Sequence, residues 1–254
     1  MTPVSLISGG SRGLGLAIVE SLLARGDRVA TFSRSGSPAL FALAAAHPDQ
    51  LHIDQLDAAD SPAIQAFVSR VAARFGRIDH CIANAAIAHE GVLATMRDDQ
   101  IDSMLDVNVK GSIVFVRECV RQMLIQSSYG KETRPAARPH GDTSITLLSS
   151  VVARRGSRGL SVYAATKAAL EGFAISLARE VGSRSIRVNV VAPGYVETDL
   201  SASLVPADKA RVVRRTPLGR LGEKNDVTAA VNFLTSPAAA FITAQTLAVD
   251  GGIS

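Results

Sequence analysis

The chain has 254 residues, of which 47% are hydrophobic, and its formal net charge is +4. That apolar fraction excludes a disordered chain and supplies a large core. With 4% aromatic residues and no Trp, Ala, Val, Leu and Ile must fill it, as they do where helices pack on a parallel sheet. The basic residues are scattered and no apolar run reaches membrane-spanning length, so neither nucleic acid nor a membrane is an expected partner.

In chain order, Val4–Ser8 reads as a strand, and no signal-peptide pattern precedes it. The run Ser8-Gly9-Gly10-Ser11-Arg12-Gly13-Leu14-Gly15 follows at once and leads into a helical pattern over 15–25. Glycines let the backbone turn tightly beside a pyrophosphate, and the helix start offers free N–H groups to it. A second strand, Arg28–Ser33, ends in Thr31-Phe32-Ser33-Arg34. A carboxylate here would suit the ribose 2′-hydroxyl of NAD. Arg34, with Arg12 in reach, suits a 2′-phosphate instead, so the expected cofactor is NADP(H).

Further strands are expected at 50–53, His80–Ala83, 144–149, 187–192 and Thr246–Val249, and helices over Ser61–Phe75, 98–126, 163–181 and Lys224–Leu234. This alternation predicts one doubly wound α/β (Rossmann) domain, 1–254, with about seven parallel strands flanked by helices. Two stretches interrupt the rhythm. The polar, basic segment 127–142 reads as a loop, and 196–217 reads as a lid containing short helical pieces. Cys81 and Cys119 have no metal-binding or CxxC spacing and lie in apolar stretches. They read as buried free thiols suited to a reducing compartment, which places the protein in the cytoplasm.

Ser150, Tyr163 and Lys167 are separated by 13 and 4 residues. On a helix, positions i and i+4 share a face, so the phenol and the ammonium can meet in one cleft. Tyrosine, with an ordinary pKa of about 10, is a poor base at neutral pH, and a neighbouring ammonium is expected to favour its phenolate.

Together these motifs resemble the short-chain dehydrogenase/reductase family from Val4 to Gly252. Further matching positions are Asp57, Asn84-Ala85, Asn108 in Val-Asn-Val-Lys-Gly, Pro193-Gly194 and the final Asp250-Gly251-Gly252. The resemblance implies an oxidoreductase. In it Tyr163 is the general acid in carbonyl reduction and Lys167 holds the nicotinamide ribose and lowers the tyrosine pKa. Ser150 binds the substrate oxygen, and Asn108 places a water in a proton relay. It also implies that Asp57 contacts the adenine and Asn84, with Ala85, the adenosine side of the cofactor. Pro193, Gly194 and Val196 line the nicotinamide pocket, and Thr198 reaches the carboxamide. Two departures stand out: Ala86 replaces the family's usual Gly, and Ser8 replaces its Thr.

Within the family the chain is most similar to 3-oxoacyl-[acyl-carrier-protein] reductases, which implies a β-keto thioester substrate in fatty acid or polyketide biosynthesis. An acidic acyl carrier protein would then meet a basic face, for which Arg117, Arg121 and Arg184 are candidates. The alternatives are an NADP-dependent ketoreductase for a free ketone, polyketide, steroid or sugar, and a non-catalytic NADP(H)-binding sensor or scaffold. A homotetramer or dimer is implied by the family. No metal is expected.

Overall fold

The computed structural model describes residues 2–129, 143–197 and 206–254. Seven parallel strands run in the order β3-β2-β1-β4-β5-β6-β7. They are β1 (Val4–Ser8), β2 (Arg28–Ser33), β3 (Leu51–Gln55), β4 (His80–Ala83), β5 (Thr143–Leu148), β6 (Ile186–Pro193) and β7 (Thr246–Val249). The expected α/β class, single domain and strand number are therefore found. β1 to β3 build outward on one side, and the chain then returns to place β4 on the other side of β1. The switch point lies between β1 and β4, where the crevice outside the carboxyl ends of the strands takes ligands in such sheets.

Alternate strand residues explain the two layers, because successive side chains point to opposite faces. Leu6 pairs in register with Ala30 and Cys81, Cys81 with Ile145, and Ile145 with Val188. These side chains enter one core with Phe67, Phe115 and Leu170. The latter three come from α3 (Ser61–Phe75), α5 (Ser112–Tyr129) and α7 (Ser161–Val181). Ile7, Val29, Ile82, Leu148 and Val191 enter the other core. Its helices are α1 (Gly13–Ala24), α2 (Pro38–Ala46) and α9 (Lys224–Leu234). Phe32 makes edge contacts with Phe67 and Phe115 at 5.1 and 5.4 Å between ring centroids.

Two elements differ from the sequence reading. Helix α2 lies in a stretch for which no element was expected. Its nine residues, PALFALAAA, are almost all apolar and show no polar stripe to mark a helix. Its start is nevertheless signalled by Pro38 and by Ser37, whose Oγ accepts from Leu40 N at 3.1 Å. The helix expected over 98–126 is interrupted: α4 (Asp98–Met104) passes into a π-helical stretch, Leu105–Gly111, before α5. Gly111 passes so close to the next layer that a Cβ there would lie 2.1 Å from the Ala58 carbonyl oxygen. Asn108 sits in this π stretch, a feature frequent at functional sites.

Helix α6 (Val152–Arg155) is short, and α8 (Pro206–Arg215) occupies part of the expected lid. The expected loop falls almost wholly outside the described residues. Cys81 and Cys119 are buried free thiols, as expected. They meet across β4 and α5, and burial, then the neighbouring Cys81, pushes the Cys119 thiol up. Among the described residues, no helix is long and apolar enough to cross a membrane.

Candidate active site

The expected site residues gather past the carboxyl ends of the strands. Gly9 through Arg12 join β1 to α1, and Gly13, Leu14 and Gly15 begin that helix. Arg34 follows β2, Asp57 lies just beyond β3, and Asn84-Ala85 follow β4. Ser150 follows β5, and Pro193 ends β6, with Gly194 next. Tyr163 and Lys167 project from the first turns of α7. Thr198 lies outside the described residues.

The glycine loop is held tightly from behind. Gly9 has φ +76°, in the left-handed region that favours glycine. At Gly15 a Cβ would fall 2.0 Å from the Gly9 carbonyl oxygen. Gly9 N donates to Phe32 O at 2.8 Å, and Gly10 N donates to Thr31 Oγ1 at 3.1 Å. Ser37 Oγ donates to Ser11 O at 2.5 Å, tying the loop to the start of α2. In front, space is open beside Gly13. Helix α1 has no side-chain cap and no acidic residue in its first turn. Its N-terminal end therefore presents N–H groups and the positive end of the helix dipole without a competing anion. These features fit a dinucleotide pyrophosphate. Arg12 and Arg34 are exposed, and neither makes an ion pair among the described residues.

Asn84 differs in detail from its expected part. Its side-chain amide donates to Ser8 O at 3.0 Å and Gly9 O at 3.2 Å. Its backbone N–H and that of Ala85 donate to Ser8 Oγ, each at 3.0 Å. The Asn84 side chain thus braces the loop, and the Ser8 hydroxyl is the hinge of that brace. Asp57 turns its carboxylate back to its own loop, accepting from Ala59 N at 2.9 Å. Val196 forms a parallel bridge with Gly222, and Gly194 N donates to Val249 O at 2.9 Å.

Lys167 is 3% exposed, and its ammonium donates to Leu148 O at 2.8 Å. That bond occupies one of three N–H donors, leaving two buried donors to be satisfied from within the cleft. Such donors fit ribose hydroxyls. Lys167 Nζ stands 5.7 Å from the Tyr163 ring centroid. Asn108, wholly buried, accepts from Ile87 N and donates to Ile87 O, both at 2.8 Å, and donates to Thr166 Oγ1 at 3.1 Å. Thr166 Oγ1 donates in turn to Tyr163 O at 2.7 Å. The π stretch, the loop after β4 and α7 are thereby fixed together around Asn108.

Burial dominates the electrostatics of the site. Burial pushes the Tyr163 phenol up to about 12, opposed by a hydrogen bond with Ser150. Burial also brings the Lys167 ammonium down to about 8. Desolvation of the phenolate opposes the expected effect of the ammonium, which donates to a main-chain carbonyl. Ser149, Thr166, Glu171 and the Leu148 carbonyl were not singled out from the sequence. Their parts depend on contacts between distant segments and leave no spacing signal.

Comparison with known proteins agrees with this geometry. The family model described as Enoyl-(Acyl carrier protein) reductase matches residues 9–254. The chain belongs to the short-chain dehydrogenase/reductase family and is an oxidoreductase resembling 3-oxoacyl-acyl-carrier-protein reductases. It is 36% identical over 252 residues to the 3-oxoacyl-[acyl-carrier-protein] reductase FabG of Escherichia coli K12, covering 98% of this chain and 96% of that protein. It is 34% identical over 256 residues to FabG of Staphylococcus aureus Mu50, covering 100% and 98%. Among solved structures, a short-chain dehydrogenase/reductase from Serratia marcescens BCRC 10948 superposes with a TM-score of 0.87 at 30% identity, covering 99% of this chain and 98% of that one. Family membership implies an NAD(P)(H) cofactor.

Proposed function

We propose that the chain reduces a carbonyl to a secondary alcohol with NADPH, and that its substrate is a 3-oxoacyl thioester. The observation that carries this reading is a buried Lys167, whose ammonium lies 5.7 Å from the Tyr163 ring centroid, with the Ser150 hydroxyl beside the phenol. Two neighbouring hydroxyls can both address a single substrate oxygen. A carbonyl supplies that oxygen and needs a proton on it, whereas reduction of an isolated carbon–carbon double bond does not.

When bound, NADPH supplies the hydride. The protein's part is to bind, orient and protonate. Ser150 Oγ donates to the carbonyl oxygen and stabilises the negative charge that develops there. Tyr163, held protonated through the physiological range, gives that oxygen its proton. Lys167 uses its two remaining donors on the nicotinamide ribose. Asn108 fixes the geometry behind it and gives a water a place in the chain that returns the proton to Tyr163.

The loop from Gly9 to Gly15, including Ser11 and Leu14, takes the pyrophosphate. Asp57, Asn84 and Ala85 border the adenosine side, and Pro193, Gly194 and Val196 border the nicotinamide. Arg12 and Arg34 are the groups for a 2′-phosphate, which favours NADPH over NADH. Helix α8, in the described part of the expected lid, belongs to the substrate side in this reading. The full-length similarity to FabG supports the thioester and, with it, an acyl carrier protein as donor. The guanidinium groups of Arg117 and Arg121 are about half exposed, although both pair with Glu118. They offer such a carrier a basic surface. An oligomer of two or four chains, in the cytoplasm, belongs to the same reading.

The test follows NADPH oxidation with acetoacetyl thioesters on acyl carrier protein and on coenzyme A, with free ketones and NADH alongside. Fastest turnover on the carrier is the expected result. Activity confined to free ketones would replace the thioester with the ketoreductase alternative, and NADPH binding without turnover would favour the sensor.

A further inference from the structure

Glu171 is a buried carboxylate with no part in the chemistry described above, and it lies on α7 one turn beyond Lys167. Its two oxygens hold two points of one neighbouring segment. Oε1 accepts from Ser149 Oγ at 2.9 Å, and Oε2 accepts from Arg154 Nε at 2.8 Å. Ser149 and Arg154 bracket Ser150, one just before it and the other within α6. Ser149 Oγ also lies 3.2 Å from the Lys167 carbonyl oxygen, toward which it can donate instead. On its other side the segment is hung from β6, through Ser149 N to Val191 O at 2.8 Å and Val151 N to Pro193 O at 3.0 Å.

Burying a carboxylate is costly, and an apolar residue would fill the same space with less penalty. What the carboxylate adds is direction, because it fastens both ends of the Ser150 turn to the helix that carries Tyr163 and Lys167. Ser150 and Tyr163 must converge on one oxygen from different elements, and a displacement of about 1 Å in such a pair costs on the order of 100-fold in rate.

We propose that Glu171 is a positioning residue that sets Ser150, and the Leu148 carbonyl two residues before it, against Tyr163 and Lys167. This rests on the carbonyl-reductase reading of the site. Ser149 and Arg154 are the two arms through which it acts. Since the Arg154 side chain is 60% exposed, that arm can be removed at the surface.

The test compares Glu171→Ala, Glu171→Gln, Ser149→Ala, Arg154→Ala and Tyr163→Phe in the full chain, with NADPH and acetoacetyl-coenzyme A. NADPH binding is read separately by fluorescence titration. Glu171→Ala is expected to lower kcat by roughly 10- to 100-fold while the NADPH dissociation constant stays within about twofold. Glu171→Gln keeps the shape and one acceptor, and recovers part of the loss. Adding Glu171→Ala to the Ser149→Ala, Arg154→Ala double variant should change kcat little further, because the three act as one unit.

A folded Glu171→Ala with the parent kcat, or a loss that lies wholly in NADPH affinity, overturns the proposal. Should Glu171→Ala not fold, Ser149→Ala and Arg154→Ala decide: a lowered kcat with intact NADPH binding supports it, and the parent kcat in both overturns it. Parent-like turnover by Tyr163→Phe would sink the reading of the site itself. An inactive Tyr163→Phe beside a parent-like Glu171 series would sink the positioning role alone.

Discussion

The two ends of the sheet contain similar polar groups and treat them in opposite ways. At the amino end, Asp27 is wholly buried and accepts from Ser5 Oγ at 2.5 Å and from Arg25 Nη2 at 2.6 Å. Arg25 Nη1 reaches Thr235 Oγ1 at 2.6 Å. Asp79 pairs with Arg77 and accepts from Val4 N at 2.9 Å. His80 Nδ1 meets Ser144 Oγ at 2.9 Å, and Arg187 donates to Leu234 O at 2.7 Å. Each of these side chains has a partner within the protein. At the carboxyl end, Lys167 keeps two donors, the start of α1 has no cap, and Arg12 and Arg34 have no carboxylate partner among the described residues. A closed network fixes a fold, whereas an open one is completed by a ligand.

If that contrast is right, damage at the carboxyl end should remove activity and spare stability, and damage at the amino end should do the reverse. The largest effect is expected for Tyr163→Phe, which should lower kcat by about 100- to 10,000-fold with NADPH binding retained. Steady-state kinetics beside NADPH titration would check this, and near-parental turnover would remove Tyr163 from the chemistry. Asp27→Ala strands Arg25 and Ser5 and should cost about 3–5 kcal/mol of stability. The molecules that remain folded should keep the parental kcat. Denaturant unfolding with activity measured per folded molecule would expose any breach of the division.

Arg34→Asp should move the preference toward NADH by on the order of 10-fold or more, since it replaces a partner of the 2′-phosphate by a like charge. An unchanged ratio of kcat/KM for the two cofactors would exclude Arg34.

The two ends also differ in pH. Burial holds the Lys167 ammonium down at about 8. The cation is therefore present below that value and lost as pH rises through it, so kcat/KM for NADPH should fall above pH 8. A flat profile to pH 9.5 would detach Lys167 from cofactor binding.

Burial likewise holds His80 down at about 3, from an ordinary 6.5. The folded state then keeps the neutral ring where the unfolded chain takes up a proton. Its contribution to stability is complete above pH 6.5 and is lost progressively as pH falls toward 3. The smallest effect sought is a flattening of that acid limb in His80→Asn, measured by thermal unfolding from pH 7 to pH 4, with kcat at pH 7 unchanged.

Legibility in the sequence follows how locally each feature is encoded. Strand periodicity, the glycine run after β1, and the spacing of Tyr163 and Lys167 are local, and the expected elements fall in place to within a few residues. Helix α2 escaped because an all-apolar run lacks the polar stripe that marks a surface helix. The break at Leu105–Gly111 escaped because the contacts around it, such as Gly111 against Ala58 and Asn108 against Ile87, join segments far apart in the chain.

The sequence by itself determined the fold class and the family, and it named the groups proposed to react. These depend on residue types at short, regular separations, which survive in one dimension. Only the tertiary structure decided that Asn84 braces the glycine loop, that Lys167 aims at the Leu148 carbonyl, and that burial pushes the Tyr163 phenol up. It also decided that Glu171 grips both sides of Ser150. Directions of hydrogen bonds and depths of burial arise only when distant segments pack, and no spacing in the chain encodes them.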